Sequence, residues 1–133
     1  MYMNSTGRET DVHKVLVVDD DPRNLFALTA ALEQEHYEVI GAQSGEEALT
    51  TLNANPQIEC VLTDIMMPEM DGYELTRRIR ARGASMRLPV IAVTAKASPE
   101  DEQKCWEAGC ASYVTKPINT RELLRKLRSV IEP

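Results

Sequence analysis

A few side chains in this sequence could act together on one phosphoryl group. Asp64 ends the apolar run Val61-Leu62-Thr63, and a mostly apolar loop with one proline, Pro68, leads on to an Asp71-Gly72 pair. A carboxylate at the carboxyl end of a buried strand stands where open α/β sheets usually place a ligand. Asp19 and Asp20 end a second apolar run, Thr94 ends a third, and Lys116 follows a fourth. Three nearby carboxylates repel one another and need a cation among them to stay ionised. Hard oxygen ligands with open water positions suit Mg2+, with Mn2+ as the substitute, and Mg2+ is typically completed by a phosphate. A carboxylate beside such an ion is a nucleophile toward phosphorus and gives an aspartyl phosphate. The lysine ammonium would neutralise phosphoryl oxygens, and the threonine hydroxyl would donate a hydrogen bond to one of them. The sequence holds no Gly-rich phosphate cradle, so a free nucleotide is not the expected donor.

Positioning those groups requires a sheet. His13–Val18 is a β-branched run apolar enough to be covered on both faces. Asp19-Asp20-Asp21-Pro22 stops it, and an amphipathic helix over roughly Pro22–Glu35 follows, with proline in its first turn. Tyr37–Ala42 reads as a second strand, and Ser44 with Glu47 as a capping box opening a second helix. Ile58–Thr63 is the third strand, leading to Asp64. Beyond Gly72, Leu75 and Ile79 mark a helix whose outer side should carry Arg77, Arg78, Arg80 and Arg82. Gly83-Ala84-Ser85 reads as a loop. Leu88–Thr94 is the fourth strand, with Pro89 at its start. A helix capped by Ser98 and ended by a left-handed Gly109 comes next. Ser112–Thr115 is the fifth strand, and Asn119 or Thr120 caps a last helix.

This alternation implies an α/β, flavodoxin-like, doubly wound (βα)5 sandwich of three layers, with a parallel sheet of order 2-1-3-4-5. Every strand end that leads into a helix then lies on one rim, which collects Asp19, Asp20, Asp64, Thr94 and Lys116. Taken singly, these are an ordinary helix cap, a β-former or a turn lysine. Four such coincidences on one rim argue for a shared site.

The 133 residues suit one domain over 13–133, with 1–12 a disordered tail or linker. The net charge of −6 and the lack of a basic block argue against direct nucleic-acid binding. Cys60, Cys105 and Cys110 are odd in number, lack metal-ligand spacing and sit in or beside apolar runs, which reads as buried thiols in a reducing compartment. No apolar run approaches a membrane span and no signal peptide is apparent, so a cytoplasmic protein without membrane contact is expected.

Val-Val-Asp19-Asp20-Asp21, Asp64-Ile-Met-Met-Pro68-Glu-Met-Asp71-Gly72, Val93-Thr94-Ala95 and Tyr113-Val-Thr-Lys116-Pro117 resemble the motif set of response-regulator receiver domains of two-component systems. The resemblance covers about residues 13–131. It implies that Asp64 accepts a phosphoryl group from the phosphohistidine of a histidine kinase or a histidine phosphotransfer protein. It implies that Asp20 and Asp64 bind Mg2+ with the Met66 backbone carbonyl, that Asp19 acts mainly through water, and that Thr94 and Lys116 hold the phosphoryl group. Met66 and Lys96 would tune dephosphorylation, and the Lys116-Pro117 bond would be cis. Tyr113 would turn inward when Thr94 moves toward phosphorylated Asp64, which makes the fourth helix, fifth strand and last helix a bistable output surface. Trp106 and Tyr113 on that surface are candidate partner contacts, and a homodimer could form through it.

The wording of Asp21–Thr29 and of Ala95–Gly109 further resembles receivers at the C-terminus of hybrid sensor histidine kinases. The domain alone would then be no enzyme beyond self-phosphotransfer and self-dephosphorylation, although its parent chain could be a histidine kinase. One alternative is a stand-alone single-domain response regulator, and a second is a degenerate receiver that only binds. A more remote one is a Mg2+-dependent haloacid-dehalogenase-like phosphatase, with Asp19 as nucleophile and Asp21 as acid/base. It would leave the whole Asp64–Gly72 motif unused.

Overall fold

The structure, a computed structural model, describes residues 12–83 and 87–131. The tail expected over 1–12 lies, apart from Val12, outside the described residues, as do Ala84 and Ser85 of the expected loop. Strands β1 (Lys14–Val18), β2 (Glu38–Ala42), β3 (Cys60–Asp64), β4 (Val90–Thr94) and β5 (Ser112–Thr115) alternate with helices. These are α1 (Pro22–Gln34), α2 (Gly45–Ala54), α3 (Gly72–Arg80), α4 (Pro99–Ala108) and α5 (Thr120–Ile131). All strand pairs are parallel and the order is β2-β1-β3-β4-β5. The sheet expected from the alternation is the one found.

Strand alternation divides the core into two layers. Leu16, Val18, Val61, Val90 and Ala92 face α2, α3 and α4, where Ala48, Leu52, Leu75, Ile79 and Cys105 pack. Val15, Val17, Cys60, Leu62 and Ile91 face α1 and α5, where Leu32, Leu123, Leu124 and Leu127 pack. Covered on both faces, β1, β3 and β4 are buried almost throughout, as parallel strands must be.

Local signals set most boundaries. Asp21, Ser44, Asp71, Ser98 and Asn119 each accept a hydrogen bond from a backbone N–H two or three residues on, which caps the helix that follows. Gly109 ends α4 at φ 105°. β4 begins at Val90 rather than Leu88, because Pro89 has no N–H for the ladder, although its carbonyl still accepts from Val61 N–H at 2.9 Å. α1 ends on a His36 held at φ 71°. Tyr37 N–H reaches Leu32 O and His36 N–H reaches Glu33 O, a Schellman pair closed without glycine.

The arginines of α3 do not share one solvated side. Arg77 and Arg78 do face outward and pair with Glu74. Arg80 instead turns in, donating from Nε and Nη2 to Gly109 O at 3.0 and 2.8 Å and from Nη1 to Leu88 O at 2.6 Å. Arg82 Nη1 donates to Leu49 O at 3.3 Å. Carbonyls left without partners at the end of α4 and ahead of β4 draw the guanidinium of Arg80 back over the protein. Cys60, Cys105 and Cys110 are buried free thiols, as their apolar neighbours suggested.

Candidate functional site

The parallel ladder runs one residue past its strands at the carboxyl rim. Asp19 N–H donates to Ala42 O at 3.0 Å, Ile65 N–H to Val93 O at 3.1 Å and Lys116 N–H to Thr94 O at 2.8 Å. These bonds fix the backbone on which the chemical groups stand. Carboxylate oxygens of Asp19, Asp20 and Asp64 all lie within 4.8 Å of one another, with Asp19 and Asp64 buried and Asp20 exposed. Lys116 Nζ sits 3.2 Å from Asp64 Oδ1, and the bond to Pro117 is cis.

Burial raises the pKa of Asp19, and the charge of Asp64 adds to the effect. The Asp21 N–H, which donates to Asp19 Oδ1 at 2.9 Å, opposes it. Three carboxylates against one ammonium leave an excess of two negative charges in a partly dry crevice, a donor set that fits a divalent cation held by oxygen. A cleft of about 310 Å3 opens beside them, with Asp19, Asp64 and Lys116 at one end and Leu28, Ala31 and Ile118 among its apolar walls.

Thr94 is buried at the end of β4, and its hydroxyl accepts from Lys96 N–H at 3.0 Å while the Lys96 side chain is exposed. The Met66 side chain stands out from the loop at 61% exposure, whereas Met67 and Met70 turn into the core beside α2 and α3. Tyr113 lies on the edge strand β5, with Trp106 against its ring. The rim therefore gathers Asp19, Asp20, Asp64, Thr94 and Lys116. Tyr113 and Trp106 form a separate group over β5, between α4 and α5.

Gly72 has a structural role that its sequence position only hinted at. Its N–H donates to Ile65 O at 2.9 Å, and a Cβ there would meet Asp64 O at 2.6 Å. α3 can start this close to the end of β3 only without a side chain. The loop also holds Glu69 at φ 71°, a strain that no glycine marks in the sequence. Asp21, the acid/base of the phosphatase alternative, is spent as the cap of α1. Its hydrogen bonds with the Arg23 side chain and backbone hold its carboxyl below the usual range, which suits a cap and not a general acid.

Residues 15–128 match the response regulator receiver domain family. The chain belongs to that family. The receiver is 41% identical over 127 residues to sensor histidine kinase RcsC of Salmonella typhimurium, covering 96% of this chain and 13% of that protein. It is 34% identical over 117 residues to heme response regulator HssR of Staphylococcus saprophyticus, covering 88% of this chain and 50% of that one. Its fold is similar to that of chemotaxis protein CheY4 of Vibrio cholerae at TM-score 0.85 and 30% identity, covering 90% of this chain and 98% of that one. It is also similar to the receiver domain of sensor histidine kinase PA1611 of Pseudomonas aeruginosa at TM-score 0.84 and 34% identity, covering 92% and 99%. That structure holds a magnesium ion coordinated in its active-site cleft. Magnesium binding and phosphorylation are general features of the family. No helix among the described residues is long and apolar enough to cross a membrane.

Proposed function

We propose that this receiver carries the phosphoryl group of a two-component phosphorelay on Asp64, taking it from a phosphohistidine of a histidine kinase or histidine phosphotransfer protein. The observation that carries the reading is Asp64 itself, buried at a strand end with Lys116 Nζ at 3.2 Å and two further carboxylates within 4.8 Å. A carboxylate oxygen of Asp64 bonds to phosphorus as the P–N bond to the imidazole breaks, and the electron pair stays on the ring nitrogen. Asp19, Asp20, Asp64 and the Met66 carbonyl would hold Mg2+, with Mn2+ as its substitute. When bound, the ion offsets the negative charge of the carboxylates and of the incoming phosphoryl oxygens. Lys116 pairs with a phosphoryl oxygen in place of Asp64 Oδ1, and the Thr94 hydroxyl donates to another.

Phosphorylation would turn Tyr113 inward and alter the surface of α4, β5 and α5, where Trp106 and Tyr113 would meet a partner or a second copy of the chain. Met66, two residues past Asp64, and Lys96, two past Thr94, would set the lifetime of the phosphorylated state. The share of RcsC that the chain covers supports a receiver segment of a hybrid sensor histidine kinase in the cytoplasm, and the match to HssR supports a response regulator. In either setting the domain would transfer a group to itself and would not turn over a diffusible substrate or read nucleic acid directly.

Incubation with acetyl phosphate and Mg2+ should add one phosphoryl mass to the intact protein, and Asp64→Asn should abolish it. An unlabelled wild type, or an Asp64→Asn protein that still hydrolyses phosphate esters, would sink the reading.

A further inference from the structure

We propose that Trp106 is a positioning residue of the switch, which together with Lys126 holds Tyr113 in its outward seat and opposes the switched state until a phosphoryl group is present. This rests on the reading of Tyr113 as the switch.

Tyr113 is half-buried on an edge strand and is gripped from both flanking helices. From α4, the indole of Trp106 packs edge-on, with ring centroids 5.8 Å apart and planes at 68°. From α5, Lys126 Nζ lies 5.2 Å from the ring centroid and also donates to the Tyr113 carbonyl. Glu122, one turn earlier on α5, steadies that ammonium at 3.6 Å. The Glu102 carboxylate, one turn before Trp106, interacts with the Tyr113 hydroxyl and raises the phenol's pKa. Ring and backbone of Tyr113 are thus each held.

Trp106 has little else to do in the fold. α4 buries Cys105 and Ala108 against the core, while the indole stays 43% exposed. A T-shaped aromatic pair shifts an equilibrium by about 2- to 12-fold beyond its area, and an exposed cation–π contact by about 2- to 5-fold. Both contacts exist only while the ring is outward, so both bias the receiver toward the resting state. Coupling is reciprocal: whatever raises the population of the switched state raises the affinity for the phosphoryl group by the same factor.

The test labels the full chain with 3-fluorotyrosine, assigns Tyr113 with Tyr113→Phe, and compares wild type, Trp106→Leu and Trp106→Phe by 19F NMR. Spectra are recorded alone and during titration with beryllofluoride and Mg2+. In Trp106→Leu the resting Tyr113 resonance should move toward its position in beryllofluoride-saturated wild type, and half-saturation should occur at about 2- to 10-fold lower beryllofluoride. Trp106→Phe should stay within about twofold of wild type, since an edge contact survives. Simple damage to packing would weaken binding, so a gain separates the two causes. An unmoved resting resonance, or half-saturation unchanged or higher in Trp106→Leu, would overturn the proposal. A wild type that fails to bind beryllofluoride counts against the phosphoacceptor reading and takes the switch role with it. The hold on Tyr113 is then judged from the resting spectra alone, where an unmoved resonance again rejects it.

Discussion

Burial, with the neighbouring charge of Asp64, raises Asp19 above the ordinary carboxylate value of 3.8, so its ionisation works against the native state. An unfolded chain loses this proton near 3.8, while the native protein holds it to higher pH. The loss of stability therefore develops as pH rises from 3.8 through the native value, and persists at neutrality. Asp19→Asn keeps an oxygen for the Asp21 N–H and removes the charge. In metal-free buffer at pH 7 it should raise Tm by about 2–6 °C, whereas Mg2+ should raise the Tm of the wild type more than that of the variant. Calorimetry with and without EDTA checks both. Asp19, Asp20, Asp64, Thr94 and Lys116 were legible in the sequence because each ends an apolar run, and a parallel sheet brings such ends to one rim. Arg80 was not legible. Its direction depends on the carbonyls of Gly109 and Leu88, which come together only in the folded protein.

Helix ends illustrate how far local chemistry reaches. Caps at Ser44, Ser98 and Asn119 follow from residue type and spacing, and so does the left-handed end of α4 at Gly109. The end of α1 has no such mark, since a histidine occupies the left-handed position after Glu35. A β-carbon in that region costs about 1 kcal/mol. His36→Gly should therefore stabilise the receiver by roughly 0.5–1 kcal/mol, partly offset by the greater freedom of glycine in the unfolded chain. Urea unfolding should show a higher midpoint at constant m, and a lower midpoint would mean that the imidazole makes a contact worth more than the backbone strain. Glu69 in the β3–α3 loop is a second such position, invisible for the same reason.

At the scale of the whole molecule, the thiols occupy both layers of the core: Cys60 on the side of α1 and α5, Cys105 and Cys110 on the other. Burial pushes Cys60 from 9.0 up to about 12 and Cys105 up to about 11. Unfolded thiols ionise from about pH 9, while the native ones stay protonated well beyond it. Native stability is therefore full below pH 9 and falls as pH climbs toward these values. Urea midpoints should drop between pH 9 and 10.5, and less steeply in Cys60→Ala, although that variant starts from a lower midpoint because of the cavity. A slope equal to wild type would exclude Cys60 as a source. The fold as a whole was readable from strand–helix alternation, whereas side-chain contacts between elements, such as Trp106 of α4 against Tyr113 of β5, were not. The inward reach of Arg80 also has a mechanical meaning. It fastens the foot of α4 at Gly109 to α3 and to the lead-in of β4, whereas the first turn is tied to α3 by the longer contact of Tyr73 Oη with Asp101 O at 3.5 Å, which makes the head of the helix at Pro99 its looser end. Any rearrangement of α4 is then a lever swing about its C-terminus. At a rise of about 1.5 Å per residue, Trp106 stands about 4.5 Å from the pivot and Pro99 about 15 Å. A tilt of about 10° would carry the first turn by about 2.6 Å and the helix axis at Trp106 by less than about 1 Å. The phosphorylation site would thus work the long arm of the lever, and Trp106 would ride near the fulcrum.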